Sequence, residues 1–156
     1  MPIPERLLNF LEAKHSHHKI IHHRDTYTAQ EMAEATHISG RDVAKVVIIT
    51  DGRRHHMVVL PANTRIDLER LSEALDIPNA RLATEKELGR LFPDCELGAM
   101  PVCGNLYGLP VHMDSCLIPE PTITFAAGSH HQSIQMSTSD FMRDVRPQIV
   151  EVAVPA

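Results

Sequence analysis

Ala44-Lys-Val-Val-Ile-Ile-Thr50, the dipeptide Asp51-Gly52 and His56-Met-Val-Val-Leu60 form the stretch on which the fold turns. Two β-branched, apolar runs around an Asp-Gly turn signal predict a β-hairpin. In the first run Val43, Lys45, Val47 and Ile49 share one face, and Ala44, Val46, Ile48 and Thr50 share the other. Both faces are apolar, so the strand is expected to be buried on both sides. Working outward, a helix is predicted from Pro4, with Leu7, Leu8 and Leu11 at helical spacing, followed by a strand over Lys19–His23. Thr28-Ala-Gln-Glu31 is a capping box that opens a helix to about Thr36, and Thr84-Glu-Lys-Glu87 opens another carrying Leu88 and Leu91. Leu68, Leu71 and Leu75 mark a helix between the hairpin and that second box. Downstream come strands near Val111–Asp114, Ile123–Ala126 and Ser133–Met136, a helix over Ser137–Val145 and a strand over Gln148–Val154. Helices come early and short strands late, without regular βαβ alternation. That predicts an α+β fold, with residues 1–156 as a single domain.

Composition bounds the function classes. A hydrophobic share of 43% in 156 residues supports one globular core, and with no Trp that core must rest on Leu, Ile, Val, Met and Ala. No apolar run approaches the ~20 residues that span a bilayer, and the N-terminus lacks a signal-peptide pattern. A soluble, cytoplasmic protein without a membrane partner is expected. The net charge of −5 argues against broad, non-specific nucleic-acid binding but leaves room for a small basic mouth. Cys95, Cys103 and Cys116 are odd in number and lack CxxC spacing, so reduced thiols are expected.

Three segments could carry chemistry. Lys45 lies inside an apolar strand, where its ammonium must reach an anion or a wet cleft, or else snorkel past the strand end. The loop Gly98-Ala-Met-Pro101-Val-Cys-Gly104 combines glycines with a fixed turn and could present backbone N–H groups to an oxygen, or simply turn the chain. Phe125-Ala-Ala-Gly128-Ser-His130-His131 places two histidines at a predicted strand connection. The His-rich segment from Lys14 to Arg24 invites a metal reading, but adjacent strand residues point to opposite faces, and a solvated polar segment is the expectation. No P-loop, GxGxxG, GxSxG or paired-carboxylate motif occurs.

These three segments together, from Ala44-Lys45-Val-Val-Ile-Ile through Leu97-Gly98-Ala-Met-Pro101-Val-Cys-Gly104 to Phe125-Ala-Ala-Gly128-Ser-His130, resemble the YbaK/ProX family of aminoacyl-tRNA deacylases. This family is also known as the prolyl-tRNA synthetase-associated editing domain, and the likeness extends over nearly the whole chain. The resemblance implies a compact domain with a mixed, partly barrel-like sheet surrounded by helices. It also implies hydrolysis of the ester that joins a wrong amino acid to the 3′ end of its tRNA, without metal or cofactor. By the same resemblance Lys45 anchors the substrate, and N–H groups near Gly98 polarise the ester carbonyl. Tyr27, Pro101, Gly104, Gly128 and His130 then contribute to substrate binding. Close relatives read Pro-Pro-Phe-Gly where this chain has Pro101-Val102-Cys103-Gly104, a change expected to reshape the pocket wall.

The resulting expectation is a stand-alone trans-editing deacylase whose partner is aminoacyl-tRNA, with an aminoacyl-tRNA synthetase as a further possible partner. Arg41, Arg53, Arg54 and Arg65 are the basic residues available for acceptor-stem phosphates. The alternative is a non-catalytic module that binds an aminoacyl or nucleotide group in the same pocket.

Overall fold

The computed structural model describes all 156 residues. The predicted hairpin forms as β2 (Ala44–Thr50) and β3 (His55–Pro61), antiparallel, with Lys45 opposite Leu60. Around it run α1 (Glu5–Ala13), β1 (His18–His22), α2 (Ala29–Thr36), β4 (Thr64–Ile66), α3 (Leu68–Leu75), β5 (Arg81–Leu82) and α4 (Glu85–Leu91). The second half supplies β6 (Val111–Asp114), β7 (Thr122–Ser129), β8 (Gln132–Ser137), α5 (Thr138–Val145), β9 (Gln148–Val150) and β10 (Ala153–Pro155).

The strands form an α+β fold of three open sheets, and no barrel closes. A five-stranded mixed sheet has the order β5-β2-β3-β6-β9, in which β6 runs parallel to both β3 and β9. A three-stranded antiparallel sheet has the order β1-β8-β7, and β10 pairs with β4. The two larger sheets meet at a single parallel bridge, Val43 to Thr124, and then diverge. The main core lies between them, built from Leu7, Leu11, Ile48, Met57, Val59, Phe125, Ile134 and Phe141. On its other face the five-stranded sheet packs Ile49, Val58 and Leu60 against Leu71 of α3. Burial here explains why apolar β-branched runs form these strands.

Local signals hold where they are strong. Thr28 accepts from the Glu31 N–H at 3.0 Å, and Thr84 forms a reciprocal capping box with Glu87. The single strand expected over Gln148–Val154 is instead two strands in different sheets. The buried Asp114 carboxylate accepts from the N–H groups of Val152 and Ala153 at 2.8 and 2.9 Å, turning the chain from one sheet to the other.

Candidate active site

β2 has one edge paired and the other largely free, and this asymmetry creates the site. The Ala62 N–H donates to Val43 O at 2.8 Å, so alternation along the strand turns the backbone groups of Ala44, Val46 and Ile48 away from β3. Ile48 O is taken by the Ala83 N–H, and β5 pairs only with Ile49 and Thr50. Val46 therefore presents an N–H and a C=O to the gap where β2 and β7 part.

A cavity of about 240 Å³ fills that gap. Ala44, Lys45 and Val46 form one wall, Ala126, Ser129 and Ser133 of β7 and β8 another, and Ala29 and Met32 of α2 a third. Gly98 and Met100 close one side, and His23, Thr26, Tyr27, Thr28 and His130 surround the mouth. The connection from β1 to α2 is clamped onto the β7–β8 turn, with His23 N–H donating to His131 O and Thr26 N–H to His130 O. Tyr27 is two-thirds exposed, and its ring lies 4.8 Å from that of His130. The backbone N–H of His130 donates to Glu96, whose carboxylate also holds the N-terminal ammonium.

Lys45 is half-buried rather than enclosed, and its ammonium donates to the carbonyl of Thr64 on β4. Burial lowers its pKa from the ordinary lysine value. The strand it occupies is only partly sealed, because Val46 and Val47 also retain some exposure. Gly98 has φ +85°, the left-handed region, which lets the loop fold back beside His130. The N–H groups of Gly98 and Met100 donate to no protein acceptor, unlike that of Ala99, which bonds Glu96 O at 3.0 Å. Two unused amide donors thus border a cavity that also holds a lysine.

The structure brings Lys45, Gly98, Tyr27 and His130 together around this space. Pro101, Gly104 and Gly128 do not line it. Gly104 sits beneath Met57 and Val111, while Gly128 lies against Pro4 and bonds Ala99 and Glu96 through its backbone. Val102 and Cys103 are fully buried in the main core, where burial pushes the Cys103 thiol up to about 12. Their difference from relatives therefore acts on the core and not on the cavity wall. Arg53 and Arg54 lie in the hairpin turn beyond Thr50, itself five strand residues past Lys45, which puts them about 20 Å from Lys45. Arg41 and Arg65 remain exposed near the Lys45 end.

The histidines of the first segment go separate ways. His17 bonds Asp140, His18 bonds Ser16 O, and His23 bonds Ser133. No group of three or more His, Cys, Asp or Glu side chains is placed to hold a metal ion. Sequence reasoning did not single out Met100, Thr26, Ser133 or the free edge at Val46. Only strand register and the chain crossing reveal them.

Comparison with known proteins gives this geometry a context. The family model described as an aminoacyl-tRNA editing domain matches residues 23–143, most of the chain. No curated protein matches the sequence closely enough to count as a relative. Among solved structures, one proposed to be a trans-editing enzyme for prolyl-tRNA synthetase superposes with a TM-score of 0.85 at 21% identity, covering 99% of this chain and 98% of that one. The hypothetical protein APE2540 gives a TM-score of 0.86 at 18% identity, covering 96% of this chain and 100% of that one. A protein from Marinobacter aquaeolei VT8, proposed to act in signal transduction, gives 0.75 at 17% identity, with 98% of this chain matching 31% of the longer one. At these identities the structures share the fold alone. No helix is long and apolar enough to cross a membrane.

Proposed function

We propose that this chain, which belongs to the aminoacyl-tRNA editing domain family, is a stand-alone trans-editing deacylase that hydrolyses the ester of a mischarged tRNA. The observation that carries the reading is one cavity lined both by Lys45 and by Gly98 and Met100, whose backbone N–H groups have no protein acceptor. The editing unit is the whole chain, 1–156, working in the cytoplasm on the 3′ end of aminoacyl-tRNA, whether free or delivered by a synthetase.

In this reading the ester carbonyl oxygen points at the Gly98–Met100 turn. Fixed amide donors stabilise the negative charge that develops when water adds to the carbonyl carbon, each worth ~2.7–4 kcal/mol in comparable sites. The bond to the ribose oxygen then breaks, that oxygen is protonated, and free amino acid leaves intact tRNA. The neighbouring ribose hydroxyl activates the water. Lys45, its ammonium fixed by Thr64 O, anchors the polar end of the substrate. Tyr27 and His130 form the mouth, where a base or ribose can pack. Pro101, Gly104 and Gly128 act one layer back, holding the loop and the β7–β8 turn in place. No step calls for a metal or cofactor.

The deciding experiment is a deacylation screen over a panel of mischarged tRNAs, repeated after exhaustive chelation. Release of free amino acid with tRNA intact, undiminished by chelator, is the expected result. Binding of aminoacyl-tRNA without release would leave a non-catalytic module using the same cavity. Activity lost with chelator and restored by zinc would overturn the metal-free mechanism.

A further inference from the structure

We propose that Ser133, held by His23, is the acceptor for the α-ammonium group of the esterified amino acid; this subsite rests on the deacylase reading above. An aminoacyl ester differs from other esters by a cation beside its carbonyl, and a site that selects it must offer acceptors there. No carboxylate lines the cavity. The nearby Glu96 is engaged by the N-terminus and by the His130 backbone. Oxygen lone pairs on neutral groups must therefore do the work.

The His23–Ser133 couple is built for that role. His23 Nδ1 lies 2.7 Å from Arg24 O, an atom that can only accept, so Nδ1 carries a proton. In the neutral imidazole Nε2 is then an acceptor, and it lies 2.7 Å from Ser133 Oγ. The Ser133 hydroxyl proton is thereby committed to His23, and the oxygen's lone pairs are left for the cavity. Ser133 is fully buried at the centre of the β1-β8-β7 sheet, where an unmatched hydroxyl is costly. The neighbouring hydroxyls follow the same rule: Ser129 donates to Gln132 and Thr26 to His130 O. With their protons engaged, these hydroxyls offer the cavity lone pairs. Lys45, the one cation of the cavity, stands on the separate β2 wall with its ammonium turned to Thr64 O, so a second ammonium at Ser133 is not met by a like charge on the same strand.

The test measures binding of two hydrolysis-resistant probes by calorimetry. One is 3′-alanylamino-3′-deoxyadenosine, with an α-ammonium, and the other is its propionyl counterpart, which lacks the amine. The wild-type protein is expected to prefer the alanyl probe by about tenfold or more. Ser133→Ala should erase most of that preference while leaving the propionyl affinity unchanged. His23→Phe, which keeps the hydroxyl but frees its proton, should reduce the preference to a few-fold; melting curves establish that both variants fold. Equal affinity of the wild type for both probes, or an equal loss of both in Ser133→Ala, would overturn the subsite. If the preference depends on Ser133 but no mischarged tRNA is deacylated, the subsite stands and the enzymatic reading fails. Deacylation with a preference indifferent to Ser133 would overturn the subsite alone.

Discussion

The two ends of the β2–β3 hairpin are both rich in polar side chains, yet they use them in opposite ways. At the turn end most of the polar groups bind one another, the buried Nδ1 of His112 being the exception. Glu87 is bound by His55, by Arg81 at 2.8 Å and by the Thr84 cap, which together hold its carboxyl far below the usual range. His56 Nδ1 lies 3.1 Å from His112 Nε2, their rings tilted by 36° with centroids 5.3 Å apart. At the Lys45 end the partners are arranged so that something is left over: two amide N–H groups, a free strand edge and acceptor-only hydroxyls, all facing one cavity. Satisfied polar groups contribute to stability, whereas pre-oriented unsatisfied ones are available for binding. Mutations at the turn end should therefore change stability, and those at the Lys45 end should change activity.

The largest effect should come from His112. It is 96% buried, its Nδ1 has no partner, and burial lowers its pKa to about 4. The unfolded chain, with an ordinary value near 6.5, binds the proton first. Stability is then complete above about pH 6.5 and falls as the pH drops towards 4, by up to roughly 3 kcal/mol from this group. His112→Phe should flatten that part of the profile without lowering deacylation at neutral pH. Urea unfolding between pH 7 and 4.5 measures it; identical slopes in both proteins would break the contrast between the two ends.

Next comes a residue in the loop between the two ends. Cys103 is completely buried in the main core, so Cys103→Phe should overpack it at a cost of about 1–3 kcal/mol. The ring found there in relatives would then bring strain but no change in which amino acid is removed. Melting curves and initial rates on several aminoacyl-tRNAs decide the matter. A changed substrate preference at unchanged stability would return this position to the pocket wall.

Lys45→Ala sharpens the comparison from the other side. Its ammonium is half-exposed and its burial already penalises the charge, so folding should lose little. Deacylation should fall at least about tenfold, equivalent to ~1.4 kcal/mol of transition-state stabilisation. Steady-state kinetics beside a melting curve separate the two. A protein that melts early but turns over normally would make Lys45 a structural residue.

Much of this was legible in the chain itself. The capping box at Thr84, the β-branched hairpin and the odd lysine within it are local signals that the structure keeps where the sequence puts them. At Thr28 the N-cap bond forms, but the Glu31 carboxylate reaches the Tyr27 N–H instead of closing the box. The resemblance across three segments led to the family. What the sequence hid are relations between distant residues. His23 and Ser133 are 110 positions apart and meet only because β1 lies beside β8. The free edge at Val46 depends on β2 and β7 diverging after one bridge. Gly104, Gly128 and Cys103 illustrate the converse difficulty. A glycine or small residue in a loop gives the same signal whether it faces a ligand or allows Met57 or Pro4 to approach.

The smallest effect concerns the arginines, which the sequence groups together and the hairpin separates. Arg41 and Arg65 are exposed near the Lys45 end, while Arg53 and Arg54 occupy the turn about 20 Å away. Screening limits the reach of an exposed charge to ~8 Å at physiological salt, so the turn arginines cannot act on a phosphate held at the cavity mouth. Replacing Arg41 and Arg65 together by Ala should raise the KM for aminoacyl-tRNA about two- to fivefold, with kcat unchanged, because phosphate contacts bind ground and transition state alike. The effect should shrink as salt rises, since each lost contact removes a released counterion. The double change at Arg53 and Arg54 should leave both constants within error. KM measured across a salt series for the two double variants makes the comparison directly. If the turn pair proves the more sensitive, the tRNA lies along the whole hairpin, and the contrast between its two ends holds for the chemistry but not for the docking surface.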